Sequence, residues 1–111
     1  MNEQETAAQE YIQKKQDYLR QCIALTKQLT AVLGDIPQTH QILQKRKQLL
    51  QQLDQLDGQY AYKLAGYTLS ESDLNTIADL AEEMWDLDNR YTELMKQNKQ
   101  DIHNRWQNLR K

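Results

Sequence analysis

His40, His103, Cys22 and an acidic group of Glu82, Glu83, Asp86 and Asp88 are the residues whose types could hold a metal or take part in acid–base or nucleophilic chemistry. A helical di-iron site needs Glu-x-x-His pairs, and the chain has none. The two histidines stand far apart, one in a turn region and one late in the sequence, at no ligand spacing. The four acids match a solvated helix face opposite an apolar stripe. Cys22 falls on such a stripe, where a small core residue explains it better than a nucleophile does. There is no Gly-rich phosphate loop and no serine in an activating context. The expectation is a chain with no catalytic residue, no metal site and no cofactor, and hence no enzyme.

Composition narrows the remaining classes. At 111 residues the chain is expected to form one domain, residues 1–111. Its formal net charge of −2 speaks against a strongly basic nucleic-acid binder. Late bases (Arg90, Lys96, Lys99, Arg105, Arg110 and Lys111) face only Glu93 and Asp101. They read as complements of a helix dipole rather than as a phosphate patch. No apolar run approaches the roughly 20 residues that cross a bilayer, so no membrane insertion is expected. The single cysteine and the acidic, polar N-terminus without a signal-peptide pattern point to the cytoplasm.

The elements that would position these residues are helices. Ala8, Tyr11, Lys15, Tyr18, Cys22, Leu25, Leu29 and Val32 recur by threes and fours, one face of a helix over about 3–33. Ile12, Leu19 and Ile23 widen that face, so this helix should meet more than one neighbour. Gly34-Asp35-Ile36-Pro37 ends it. Pro37 suits the first turn of a second helix over about 38–64, whose seam runs through Ile42, Arg46, Leu49, Leu53, Leu56 and Tyr60. Leu43 and Leu50 lie beside that seam, Gly58 weakens the helix, and Gly66 stops it. Arg46 stands in the seam, with its stem expected to pack and its guanidinium to reach the bundle edge. The other reading of Arg46 is a buried polar group that fixes register or recognises a partner. Ser70-Glu71-Ser72-Asp73 resembles a capping box opening a third helix over about 71–110. Leu74, Ile77, Ala81, Met84, Asp88, Tyr91, Met95, Asn98, Ile102, Arg105 and Leu109 follow, with Leu80, Leu87 and Leu94 as a second line. The fold expected is all-α, an antiparallel three-helix bundle with Leu25, Leu29, Leu49, Leu53, Ile77 and Met84 in its core.

Length then makes a demand. A continuous third helix of about 40 residues spans roughly 60 Å and overshoots its neighbours. Either it breaks near Gln97-Asn98-Lys99 and turns back as a short fourth helix, or it meets another chain. Ile102, Trp106 and Leu109 ride on that segment. With Leu80, Met84, Trp85, Leu87, Tyr91 and Leu94 they form the expected partner-binding set, because Met adapts its shape and Trp anchors.

Two resemblances bear on function. Leu49 to Asp57 (LLQQLDQLD) faintly resembles the Leu-Ile-Asp helix of chorismate mutases. That family binds a dicarboxylate through several arginines, whereas here Ala61-Tyr62-Lys63-Leu64-Ala65-Gly66 stands where the next arginine would be, and the first helix holds only Arg20. Ile23-Ala24-Leu25-Thr26-Lys27-Gln28-Leu29, Lys45-Arg46-Lys47-Gln48-Leu49-Leu50 and Leu53-Asp54-Gln55-Leu56-Asp57 resemble the FliT-type flagellar export chaperones over about residues 15–105. That resemblance implies a cytoplasmic bundle holding an amphipathic segment of the unassembled filament-cap protein, and contacts with export-apparatus components. It also implies a short last helix over the groove, for which this chain offers no Pro or Gly break. The reading set against it is a self-associating structural helix protein, a homodimer or coiled-coil adaptor.

Overall fold

Each helix opens on a side chain that accepts a hydrogen bond from an otherwise orphaned backbone amide. Asn2 accepts from the Glu5 amide at 2.7 Å, Asp35 from Gln38 at 3.1 Å, and Ser70 from Asp73 at 3.1 Å. Such caps contribute about 1 kcal/mol apiece. They define α1 (Glu3–Ala31), α2 (Ile36–Ala61) and α3 (Glu71–Arg110) in the computed structural model, which describes residues 2–110, the last of them by its backbone alone. Among the described residues there is no strand, and the fold is the expected all-α three-helix bundle.

The boundaries move slightly from expectation, for local reasons. α1 stops at Ala31 because Gly34, at φ +95°, turns the chain back through the left-handed region. α2 starts at Ile36 because Asp35 caps it, which leaves Pro37 in the first turn, where its missing amide hydrogen is harmless. It runs through Gly58 and ends at Ala61, and Gly66 at φ +78° closes the turns that follow. α3 is one unbroken helix of 40 residues. The alternative of a break near Gln97-Asn98-Lys99 with a fourth helix is not realised, since every side chain there continues an α-helix without strain.

Consecutive helices run antiparallel, which makes α1 and α3 parallel. α1 is the middle element, packed on both α2 and α3 as its wide apolar face required. Among the described residues no Cα of α2 comes within 8 Å of one in α3. Leu19 and Cys22 of α1 and Leu53 of α2 form the buried centre, with Leu49, Leu50, Ile77, Leu80 and Met84 leaning on it. Of the expected core, Leu29 and Leu53 are buried, whereas Leu25, Leu49, Ile77 and Met84 are only half-buried. The cause is geometric: Leu25 and Leu49 line an open edge between α1 and α2, and on α3 Ile77 and Met84 lack the cover that a closely packed α2 would give them.

Polar bonds fix how α2 lies on α1. The Tyr11 hydroxyl donates to Asp57 at 2.5 Å, and Lys15 Nζ donates to both, at 2.9 Å each. Tyr60, buried, stacks at 5.6 Å from the Tyr11 ring and donates to Glu10 at 3.0 Å, while Lys14 donates to its hydroxyl at 3.2 Å. Burial would push the Asp57 carboxyl up, but the bonds from Tyr11 and Lys15 outweigh it and hold that carboxyl below its ordinary value. Burial and the Asp57 bond raise the Tyr11 hydroxyl. For Lys15, burial works downward, and the bonds to Tyr11 and Asp57 prevail, so it too is raised.

Candidate protein-binding site

An ion pair bridges the gap between α2 and α3. Arg46 Nη2 lies 2.5 Å and 2.6 Å from the two carboxylate oxygens of Asp88, and its Nε donates to the Thr26 hydroxyl at 3.1 Å. Thr26 is wholly buried and donates in turn to the Cys22 carbonyl at 2.8 Å. The expectation that the Arg46 guanidinium reaches the bundle edge is therefore corrected: it crosses α1 and ends on α3. Buried charge is costly unless paired, and here the charge meets a carboxylate and the Nε–H meets a hydroxyl. Asp88 likewise leaves the solvated acidic face assigned to it. Glu83 pairs with Lys27 at 3.7 Å, and Glu82 and Asp86 stay exposed. Burial raises the Cys22 thiol; the nearby Arg46 charge opposes this and Asp88 adds to it.

The residues expected to bind a partner fall on two surfaces. Leu80 and Met84 lean on the central cluster, and Leu87, Tyr91 and Leu94 are half-buried on the same side of α3. Trp85 is 65% exposed on another side of the helix. Ile102, Trp106 and Leu109 are exposed at 49%, 60% and 83%, on a stretch where every described side chain from Lys99 onward is exposed. That stretch overhangs the bundle, because α1 and α2 have already turned at Gly34. It folds back on nothing, so the covering helix implied by the export-chaperone resemblance is not formed.

The overhang and the turn make a shelf. Met95, Asn98 and Ile102 form its wall; Gly34, Ile36, Thr39, His40 and Leu43 form its floor, around an open groove of about 380 Å³. Ile36 is 79% exposed, and Leu43 and Met95 are each about two-fifths exposed. Neither Ile36 nor the floor as a whole was foreseen from sequence, although Ile36 beside Pro37 is an apolar residue at the start of α2 that no stripe uses. His40 belongs to this shelf and has no other ligating residue beside it: among the described residues no three His, Cys, Asp or Glu are grouped to hold a metal ion. No described helix is long and apolar enough to cross a membrane.

An open groove with apolar walls and few polar groups can receive the apolar face of another helix. Comparisons of the chain with protein families, characterised proteins and solved structures give no match.

Proposed function

We propose that the protein is a binding protein for an amphipathic helix, working in the cytoplasm as an export chaperone that holds an unassembled flagellar filament-cap subunit before its secretion. The observation that carries this reading is the shelf: Ile36, Leu43, Met95 and Ile102 line one open groove beside an exposed overhang bearing Trp106 and Leu109. The leucine-rich stretches resembling FliT-type chaperones supply the particular cargo, and the same resemblance adds export-apparatus components as later contacts. A disordered, amphipathic segment would gain order by laying its apolar face on this shelf, which is how grooves of this kind recognise helices.

The reading is tested by titrating the C-terminal segment of a filament-cap protein from the same genome into the full chain by calorimetry. Saturable one-to-one binding that Leu43→Asp or Ile102→Asp abolishes supports it. Binding that both substitutions leave intact, or no binding by the segment, removes it. Both positions are exposed, so neither substitution touches the core.

A further inference from the structure

The large exposed apolar residues of α3 are Leu74, Trp85, Met95, Ile102, Trp106 and Leu109. Alternating steps of four and three from Leu74 reach all of them; the intervening positions are the exposed Ala78, Ala81, Thr92 and Lys99, and the half-buried Asp88, whose carboxylate Arg46 of α2 holds. This is the a and d pattern of a coiled coil. It is a different seam from the one packed on α1, which runs through Ile77, Leu80, Met84, Leu87, Tyr91 and Leu94. On a straight helix such a seam drifts by about 20° per heptad, so it winds from the outer side of α3 toward the bundle side at the overhang. A left-handed partner helix would follow it throughout.

Charge along α3 selects the partner. Residues 71–89 carry seven acids and no Lys or Arg; residues 90–111 carry six bases against two acids. A second α3 laid parallel would set acids on acids. Laid antiparallel, it sets the acidic half of each helix on the basic half of the other. Centring the two-fold near Arg90 puts Trp85 beside Met95 of the second copy, Leu74 beside its Trp106, and Glu82 across from its Lys96. Each pairing then occurs twice, in a closed and isologous contact.

We infer that α3 binds a second copy of this chain, forming an antiparallel two-stranded coiled coil along the Leu74–Leu109 seam. The contact also supports the overhang, since a free helical stretch of that length is marginal in water. Met95 and Ile102 belong to both the seam and the shelf, so self-association and capture of a foreign helix exclude one another at the overhang. The inference stands on α3 alone and does not depend on the export-chaperone reading.

Sedimentation equilibrium of the full chain tests it. The expected result is a dimer that Trp85→Ser weakens by about tenfold or more, equivalent to about 1.4 kcal/mol. Glu82→Lys should weaken it too, and Lys96→Glu in the same chain should restore it. Direction is read by cysteine pairing, with buried Cys22 left in place. Ala81→Cys mixed with Lys99→Cys should give an oxidised dimer that neither variant gives alone. A monomer at all concentrations overturns the inference, as does a dimer indifferent to Trp85→Ser, or self-linking by Ala81→Cys alone. Unchanged helicity by circular dichroism certifies each variant as folded.

Discussion

Arg46 of α2 and Asp88 of α3 are joined at 2.5 Å and 2.6 Å across a gap where the two backbones do not approach one another. The pair thus sets the angle between the two outer helices, a task that side-chain packing performs in a closed bundle. Asp88→Ala leaves a largely covered guanidinium with only Thr26 to bond, and should cost about 1–3 kcal/mol in urea denaturation. Joint replacement by Arg46→Met and Asp88→Leu should cost less than the single change, because no charge is then stranded. A negligible loss in Asp88→Ala would show that the pair is solvated and idle.

Acid and alkali should weaken the fold through the contact between α1 and α2. The folded pKa of Asp57 lies below its ordinary 3.8, so its contribution is full above that value and is lost as pH falls through the folded pKa. Lys15 and Tyr11 are raised from 10.5 and 10.0. Their contributions are full below those values and vanish as pH rises through the higher folded ones. A melting-temperature profile should be flat between these limits in its share from this contact, and Asp57→Asn should flatten the acid arm. An acid arm identical in the two proteins would place the titration elsewhere.

Two leucines grade the core. Leu53→Ala removes a buried side chain beside Leu19 and Cys22 and should cost about 2–5 kcal/mol. Leu25→Ala removes a half-buried one at the open edge between α1 and α2 and should cost roughly 1–2 kcal/mol. Chemical denaturation of both variants checks the order, and a reversed ranking would refute the split core.

Truncation after Asn98 removes side chains that are all exposed where described, so the unfolding free energy of the monomer should change by no more than about 0.5 kcal/mol. Affinity for a helical segment, and the dimer mass, should both fall. A truncated chain that unfolds far more easily would mean that the segment packs on its own bundle.

Helix number, order and most boundaries were legible in the sequence because Gly34, Pro37, Gly66 and Ser70 are local signals whose effect needs no tertiary context. The faces of α3 were not. Read by threes and fours, Leu74, Ile77, Ala81, Met84, Met95 and Ile102 merge into one stripe. In the structure Ile77 and Met84 lean on the buried centre, while Leu74 is exposed and Met95 and Ile102 are exposed as the wall of the shelf. Periodicity reports that a stripe exists, and only a neighbour decides which of two adjacent lines it covers. Arg46 was singled out correctly as a seam residue, but its partner sits on a helix to which no sequence spacing connects it. Half of the candidate site was visible for the same reason: the wall on α3 belongs to a long periodic stripe, whereas the floor comes from Gly34 and the first two turns of α2, on positions outside that helix's seam.

Cys22 lies where the pieces of the bundle converge, wholly covered, its thiol pKa pushed up by burial. A thiol reagent can reach it only after α1 has parted from a neighbour. The alkylation rate of this one sulfur is thus a built-in clock for opening, and it needs no label or substitution. A clock that runs at the pace of global unfolding means that the helices separate together. A faster one means that an outer helix swings away while the rest holds, and a ligand that bridges α2 and α3 would slow it.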